Sequence, residues 1–190
     1  MRDRAAFWTN AIAYQAVWFA AVIGAGSGAW WPGVAAAALF IAVQLGVSRE
    51  RAVDLRLLVA ALACGLIVDG AMASSGLARY AASAVALPGG APLWLLAIWA
   101  CFALTLRRSM HVLLGRPFAA LALGTIGGPL AYLGAARGWQ SIAFAEPRWQ
   151  GLALLALAWS LALPLLVLLA TRLQPRAPLS APLSTQGTPP

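Results

Sequence analysis

The sequence predicts an all-α, polytopic membrane protein: a helical bundle of about six transmembrane helices with both termini on the cytoplasmic side. Three observations predict it. Of 190 residues, 62% are hydrophobic and only 9% are charged, where a soluble domain carries about 25% charged residues. The apolar residues fall into long runs, each near the roughly 17–25 residues that a helix needs to cross a bilayer. The arginines gather in the connections between runs, and on one side. The pI of about 11.3 therefore does not indicate nucleic-acid binding, because these charges follow the positive-inside rule.

The helices are expected at about 9–25, 30–47, 55–76, 92–111, 117–136 and 149–171. Together they make one transmembrane domain over 1–172. The second run is short and reaches spanning length only with Trp30 and Trp31 in the interface. Arg2 and Arg4, with the small residues from Gly24 to Ala29, have the look of a signal peptide. The run is long for such a segment, however, so a retained first helix is expected. Residues 173–190 are rich in Pro, Ser and Thr and too poor in apolar surface to fold alone, so they are expected to form a disordered cytoplasmic tail.

Orientation follows from charge. With the N-terminus inside, Arg2, Arg4, Arg49, Arg51, Arg56, Arg107, Arg108, Arg116, Arg172 and Arg176 lie on the inner side. Arg79, Arg137 and Arg148 lie on the outer side. That asymmetry gives N-in and C-in. Trp30, Trp31, Trp94, Trp139 and Trp149 fall at the outer ends of the runs, as an aromatic belt does. The outer connections 77–91 and 138–148 are apolar for loops and are expected on the outer leaflet or folded over the bundle.

Asp69, in Leu66-Ile67-Val68-Asp69-Gly70, stands out. A carboxyl inside a membrane helix costs about 2.5–3.5 kcal/mol or more and faces the bundle interior. It serves either as a proton, cation or catalytic site, or as a structural carboxyl bonded to a neighbouring helix. Tyr132 and Arg137 lie at similar depth and are its expected partners. Gln15, Gln44 and Asn10 are weaker polar candidates, suited to interhelical hydrogen bonds. Gly127, Gly128 and Pro129 predict a helix break or packing kink, since proline removes a donor and glycine admits close approach. Pro164 reads similarly. Cys64 and Cys101 lie in apolar runs and read as buried small residues. A lone His111 cannot assemble a metal site, and no nucleotide, zinc-protease or hydrolase motif is present; neither metal nor cofactor is expected. The inner arginines are expected to meet anionic lipid headgroups.

Four stretches resemble the bacterial inner-membrane family called domain of unknown function 2878. They are Asn10 to Gly24, Leu57 to Gly76 with its aspartate, Ala91 to Ser109, and Gly127 to Arg137. The chain departs from the family where Arg107 and Arg108 replace a more polar stretch. The resemblance implies a multi-pass inner-membrane location. Through the lipid-modifying genes found near its relatives, including cyclopropane-fatty-acid-type methyltransferases, it also implies a link to membrane-lipid modification. Three functions stay open. The first is a lipid-associated protein, an accessory subunit or an enzyme, with a lateral opening lined by Asp69, Tyr132 and Trp99 and with lipids or lipid-modifying proteins as partners. The second is a small transporter with a polar path from Asp69 to Gln15 or Gln44. The third is a structural scaffold.

Overall fold

The computed structural model describes residues 2–85 and 87–173. Its elements are six α-helices: α1 (Arg2–Gly26), α2 (Trp31–Gly46), α3 (Arg51–Ser74), α4 (Leu93–Ala103), α5 (Pro117–Trp139) and α6 (Trp149–Arg172). One two-stranded antiparallel sheet joins β1 (Ala78–Tyr80) to β2 (Ile142–Phe144). Four helices, α1, α3, α5 and α6, are long and apolar enough to cross a membrane, whereas α2 and α4 are shorter. Consecutive helices alternate in direction, giving a basic end and a hairpin end. The expected tail falls almost wholly outside the described residues.

Prolines start two of these helices. Pro32 and Pro117 sit in the first turns of α2 and α5, where a missing N–H leaves nothing unpaired. Helix α5 ends at Gln140, which is left-handed (φ 55°) and donates its N–H to the Ala136 carbonyl. The helix starting at Arg51 carries Asp54 in its first turn, where a carboxylate faces the positive end of the helix dipole.

Helix α4 is far shorter than the expected 92–111. It stops at Ala103, and Leu104, Thr105 and Leu106 turn tightly back onto Cys101, Phe102 and Ala103. Thr105 Oγ1 also donates to the Phe102 carbonyl at 2.7 Å. The turn swings Arg107 into ion pairs with Glu50 and, at 3.2 Å, with Asp54. Arg108 bonds the Gln44 carbonyl at 3.1 Å and lies 3.9 Å from Asp54. Ser48 donates to Asp54 at 2.6 Å. Glu50, at the end of the α2–α3 connection, and Asp54, in the first turn of α3, thus hold these two arginines.

The apolar connections at the hairpin end pair with each other instead of lying flat. Ala78 faces Phe144 and Tyr80 faces Ile142. Trp94 Nε1 ties this hairpin to α4 by donating to the Ala81 carbonyl at 3.0 Å. The turn at Gly89 (φ 84°) lies against Gly70 of α3, and its positive φ suits glycine.

The expected break at Gly127, Gly128 and Pro129 is absent. Helix α5 runs through all three without interruption. The glycines serve packing: a side chain at Gly124 or Gly128 would overlap Trp159 of α6. A proline within a helix removes one hydrogen bond without ending the helix when neighbours pack against it. Overpacking at such a contact costs about 1–3 kcal/mol. Gly128→Ala is therefore expected to lower the unfolding temperature in detergent. Gly134→Ala, whose added methyl meets nothing within 4 Å, serves as the neutral control; equal unfolding temperatures for the two variants would refute tight α5–α6 packing.

Candidate functional site

The Asp69 carboxyl is completely buried on α3 and is bonded by three neutral donors. Tyr132 of α5 donates to Oδ1 at 2.7 Å and Tyr80 of β1 donates to the same oxygen at 2.9 Å. Trp99 of α4 donates its Nε1–H to Oδ2 at 2.8 Å. An indole N–H can only donate, so Oδ2 must accept. The tyrosine hydroxyls can donate or accept. Burial above all, and then the charge and hydrogen bond of Asp69, push the Tyr80 phenol above its ordinary value, so it remains a proton-bearing donor.

The sequence builds this geometry with glycine. A Cβ at Gly65, one turn before Asp69, would collide with the Trp99 indole. Glycine there lets the ring lie on α3 with its N–H at the carboxylate. Trp159 stacks on the other face of Trp99, with ring centroids 4.2 Å apart and planes 16° from parallel. Trp159 in turn rests on Gly128 of α5. Two stacked indoles are therefore held between two glycines, one from α3 and one from α5. Phe102 closes the group edge-on to Trp159 at 5.5 Å.

Beside this stack lies a cavity of about 180 Å3 between α1, α4, α5 and α6. Tyr14, Trp18, Trp99, Tyr132, Trp159 and Gly127 are among its walls. Asp69 does not line it. The carboxyl stands behind Trp99 and Tyr132, fixing two rings whose other surfaces form the wall. Leu123 also lines the cavity and is 42% exposed on the bundle surface, so the cavity reaches that surface between α1 and α5. Nearer the hairpin end this seam is shut, where Trp18 and Phe19 lie edge-on to Trp139 and Gly26 abuts the Trp139 carbonyl.

Of the residues singled out from sequence, Tyr132 and Asp69 meet, and Gly127 lines the neighbouring cavity. Arg137 is exposed on α5 and is not among the hydrogen-bond partners of Asp69. It points to solvent because Tyr132, five residues earlier, takes the inward face. Gln15 is exposed on α1, and its neighbour Tyr14 faces inward instead. Gln44 is buried at the basic end, far along the bundle from Asp69. The sequence places Trp99 with Asp69 and Tyr132 at a lateral opening but not as a donor to the carboxyl, and it does not single out Tyr80. A tryptophan in the middle of an apolar run needs an acceptor for its N–H, and Asp69 supplies the only carboxylate within the apolar part of α3. That signal could have found Trp99. Tyr80 lies in a loop whose path only the strand pairing defines.

These features define an all-α protein with long apolar helices, with the fully buried Asp69 carboxyl beside an aromatic-walled cavity. The chain belongs to the family described as Protein of unknown function (DUF2878), whose model matches residues 7–165. No curated protein and no solved structure matches it.

Asp69→Ala would leave three buried donors without an acceptor, at about 1–3 kcal/mol each. It is expected to lower the unfolding temperature more than Tyr80→Phe or Tyr132→Phe. Combining Asp69→Ala with Tyr132→Phe should add less than the sum of the single effects, because both remove the same bond. Strict additivity in detergent unfolding would show that the bond contributes nothing.

Proposed function

We propose that this is a six-span protein of the bacterial inner membrane, with both termini cytoplasmic, that holds the hydrocarbon chain of a membrane lipid in the cavity between α1 and α5. The observation that carries the reading is the cavity itself. Its wall is aromatic and aliphatic, it reaches the apolar flank of the bundle, and no carboxylate, thiol, histidine or arginine lines it among the described residues.

The membrane reading has several supports. The outward faces of the helices are apolar, with Ile67 71% and Phe118 85% exposed. Nine arginines of the described residues lie toward the basic end and three toward the hairpin end, which favours a cytoplasmic basic end. At 16 residues, α2 is about 24 Å long, and Trp31 at its start with Trp30 just before it suit an interface. Helix α4 covers only part of the depth, but Leu104, Thr105 and Leu106 beyond it are buried in protein. Non-helical backbone is tolerated at membrane depth in that setting.

With no reactive group in the wall beyond the tyrosines, the role is to bind and present a lipid, and the chemistry of lipid modification belongs to a partner protein. The transporter reading is weaker because Gln15 faces outward and neither Asp69 nor Gln44 lines the cavity. The apolar character of the wall also gives the scaffold reading no account of why the cavity exists.

A Cβ at Gly127 would meet only Leu123 of its own helix, at 3.5 Å. A larger side chain there enters the cavity without displacing a neighbouring helix. Delipidated protein in detergent is expected to show saturable quenching of tryptophan fluorescence by dibromo-phosphatidylcholine. Gly127→Leu should abolish the saturable part while Gly134→Leu retains it. Equal quenching in both variants would place the lipid outside the cavity and defeat the reading. For orientation, Ser83→Cys should react with an impermeant maleimide in intact cells and Arg49→Cys only after lysis; the reverse pattern would invert the topology.

A further inference from the structure

We infer that the bound lipid carries an anionic headgroup, phosphate or carboxylate, which sits in a second cavity at the basic end and is read by Arg108 and His111. This rests on the chain-binding reading above and names the headgroup that goes with the chain.

The second cavity has a volume of about 230 Å3 and is lined by Ala6, Phe7, Arg107, Arg108 and His111. Its lining holds two guanidinium groups and an imidazole, and no carboxylate among the described residues. Arg107 is largely committed, because both of its terminal nitrogens bond Glu50 and Asp54. Its Nε is nevertheless buried without a partner. Among the described residues, Arg108 engages only Nη2, at the Gln44 carbonyl. That leaves Nε and Nη1 to an incoming anion. His111 bonds the Arg108 carbonyl through Nδ1 at 2.6 Å. A carbonyl only accepts, so Nδ1 carries a proton; Nε2 donates to an anion when the ring is protonated on both nitrogens, as imidazolium. Phe7 packs edge-on to the imidazole, with centroids 6.1 Å apart. A planar apolar face thus borders the charged one.

The two cavities have no lining residue in common, but both lie along α1. Phe7 of the lower cavity and Tyr14, Trp18 and Val22 of the upper one are spaced by seven, four and four residues. That spacing places them on one face of α1. From Phe7 to Tyr14 is about 10 Å along the helix. On the other wall, Met110 lines the upper cavity and the next residue, His111, lines the lower. Arg4, exposed and one turn before Phe7, continues the same face of α1 toward the arginine-rich surface. An amphiphile aligned with this face puts its anion among Arg108, His111 and Arg4. Its chain then runs along Phe7 toward the Trp99–Trp159 stack. Arg108 therefore has two roles: it braces α2 and α3 through Gln44 and Asp54, and it offers its remaining donors to the ligand.

The test compares dibromo-phosphatidylglycerol with dibromo-phosphatidylcholine on the full-length protein in detergent, reading the saturable quenching that Gly127→Leu removes. Each cationic group near an anionic headgroup contributes about fivefold in affinity, so the wild type should prefer the anionic lipid by about that factor or more. Arg108→Gln tests the central residue, but its structural contacts expose it to misfolding. The double variant Arg4→Gln/His111→Gln changes only exposed groups. It is expected to bring the ratio of the two affinities close to one. Equal affinities in the wild type would overturn the headgroup site while leaving the chain site standing. Absence of saturable quenching by either lipid would overturn both. Inorganic phosphate alone is the third arm. If it abolishes the preference at low millimolar concentration and binds equally well to Gly127→Leu, the site takes a free anion, and the single-ligand inference falls. If it leaves the preference intact, the anion belongs to the lipid.

Discussion

A carboxyl group placed in an apolar bundle must be surrounded by donors, because each unmet lone pair in that setting is costly. Asp69 meets this requirement with groups from three separate elements: α4, α5 and the β1 strand. The constraint then spreads outward. Tyr80 can reach Oδ1 only if the 77–91 connection folds inward over α3, and the pairing of β1 with β2 carries the other connection along. Trp99 can reach Oδ2 only if α4 packs directly on α3, which Gly65 permits. One ionisable group thereby fixes the arrangement of the hairpin end. It also holds two rings of the cavity wall, so its influence on a ligand passes through Trp99 and Tyr132 and not through contact.

The second organising feature is the pair of indoles between Gly65 and Gly128. Large flat rings fill space that small residues leave open, and offset aromatic pairs add about 0.5–1.5 kcal/mol beyond burial. The stack joins α3 to α5 and α6 through side chains. It leaves the region toward α1 unfilled, because α1 meets α5 mainly around Trp139. A wall held firmly on one side and a loosely joined helix on the other are what a chain entering from the side requires.

Much of the fold could be read from the sequence. Long apolar runs and arginine clusters locate the six helices to within a few residues in most cases, because these signals are local. The end of α4 could not be read that way. The apolar run continues through Leu104 and Leu106, and the pairing of Arg107 with the distant acids Glu50 and Asp54 cannot be read from local sequence. The two three-residue strands were hidden for the same reason: Ala78–Tyr80 and Ile142–Phe144 make a sheet only with each other, some sixty residues apart. At the site, Asp69 announced itself as an acid among aliphatics, and Tyr132 followed from depth. Arg137 and Gln15 failed as partners because depth does not say which way a side chain points. The structure satisfies the carboxyl with neutral donors, and Arg137 is not among them.

The enclosure of α4 bears on how the chain is assembled. Its helical neighbours are chiefly α1, α2 and α3, all made before it on the ribosome. With only 11 residues and an irregular continuation, α4 has backbone groups that a hydrocarbon environment alone would leave unsatisfied. The segment is thus enclosed by three helices that precede it in the chain, so a lesion in α1, α2 or α3 also strips α4 of the protein that surrounds its irregular end.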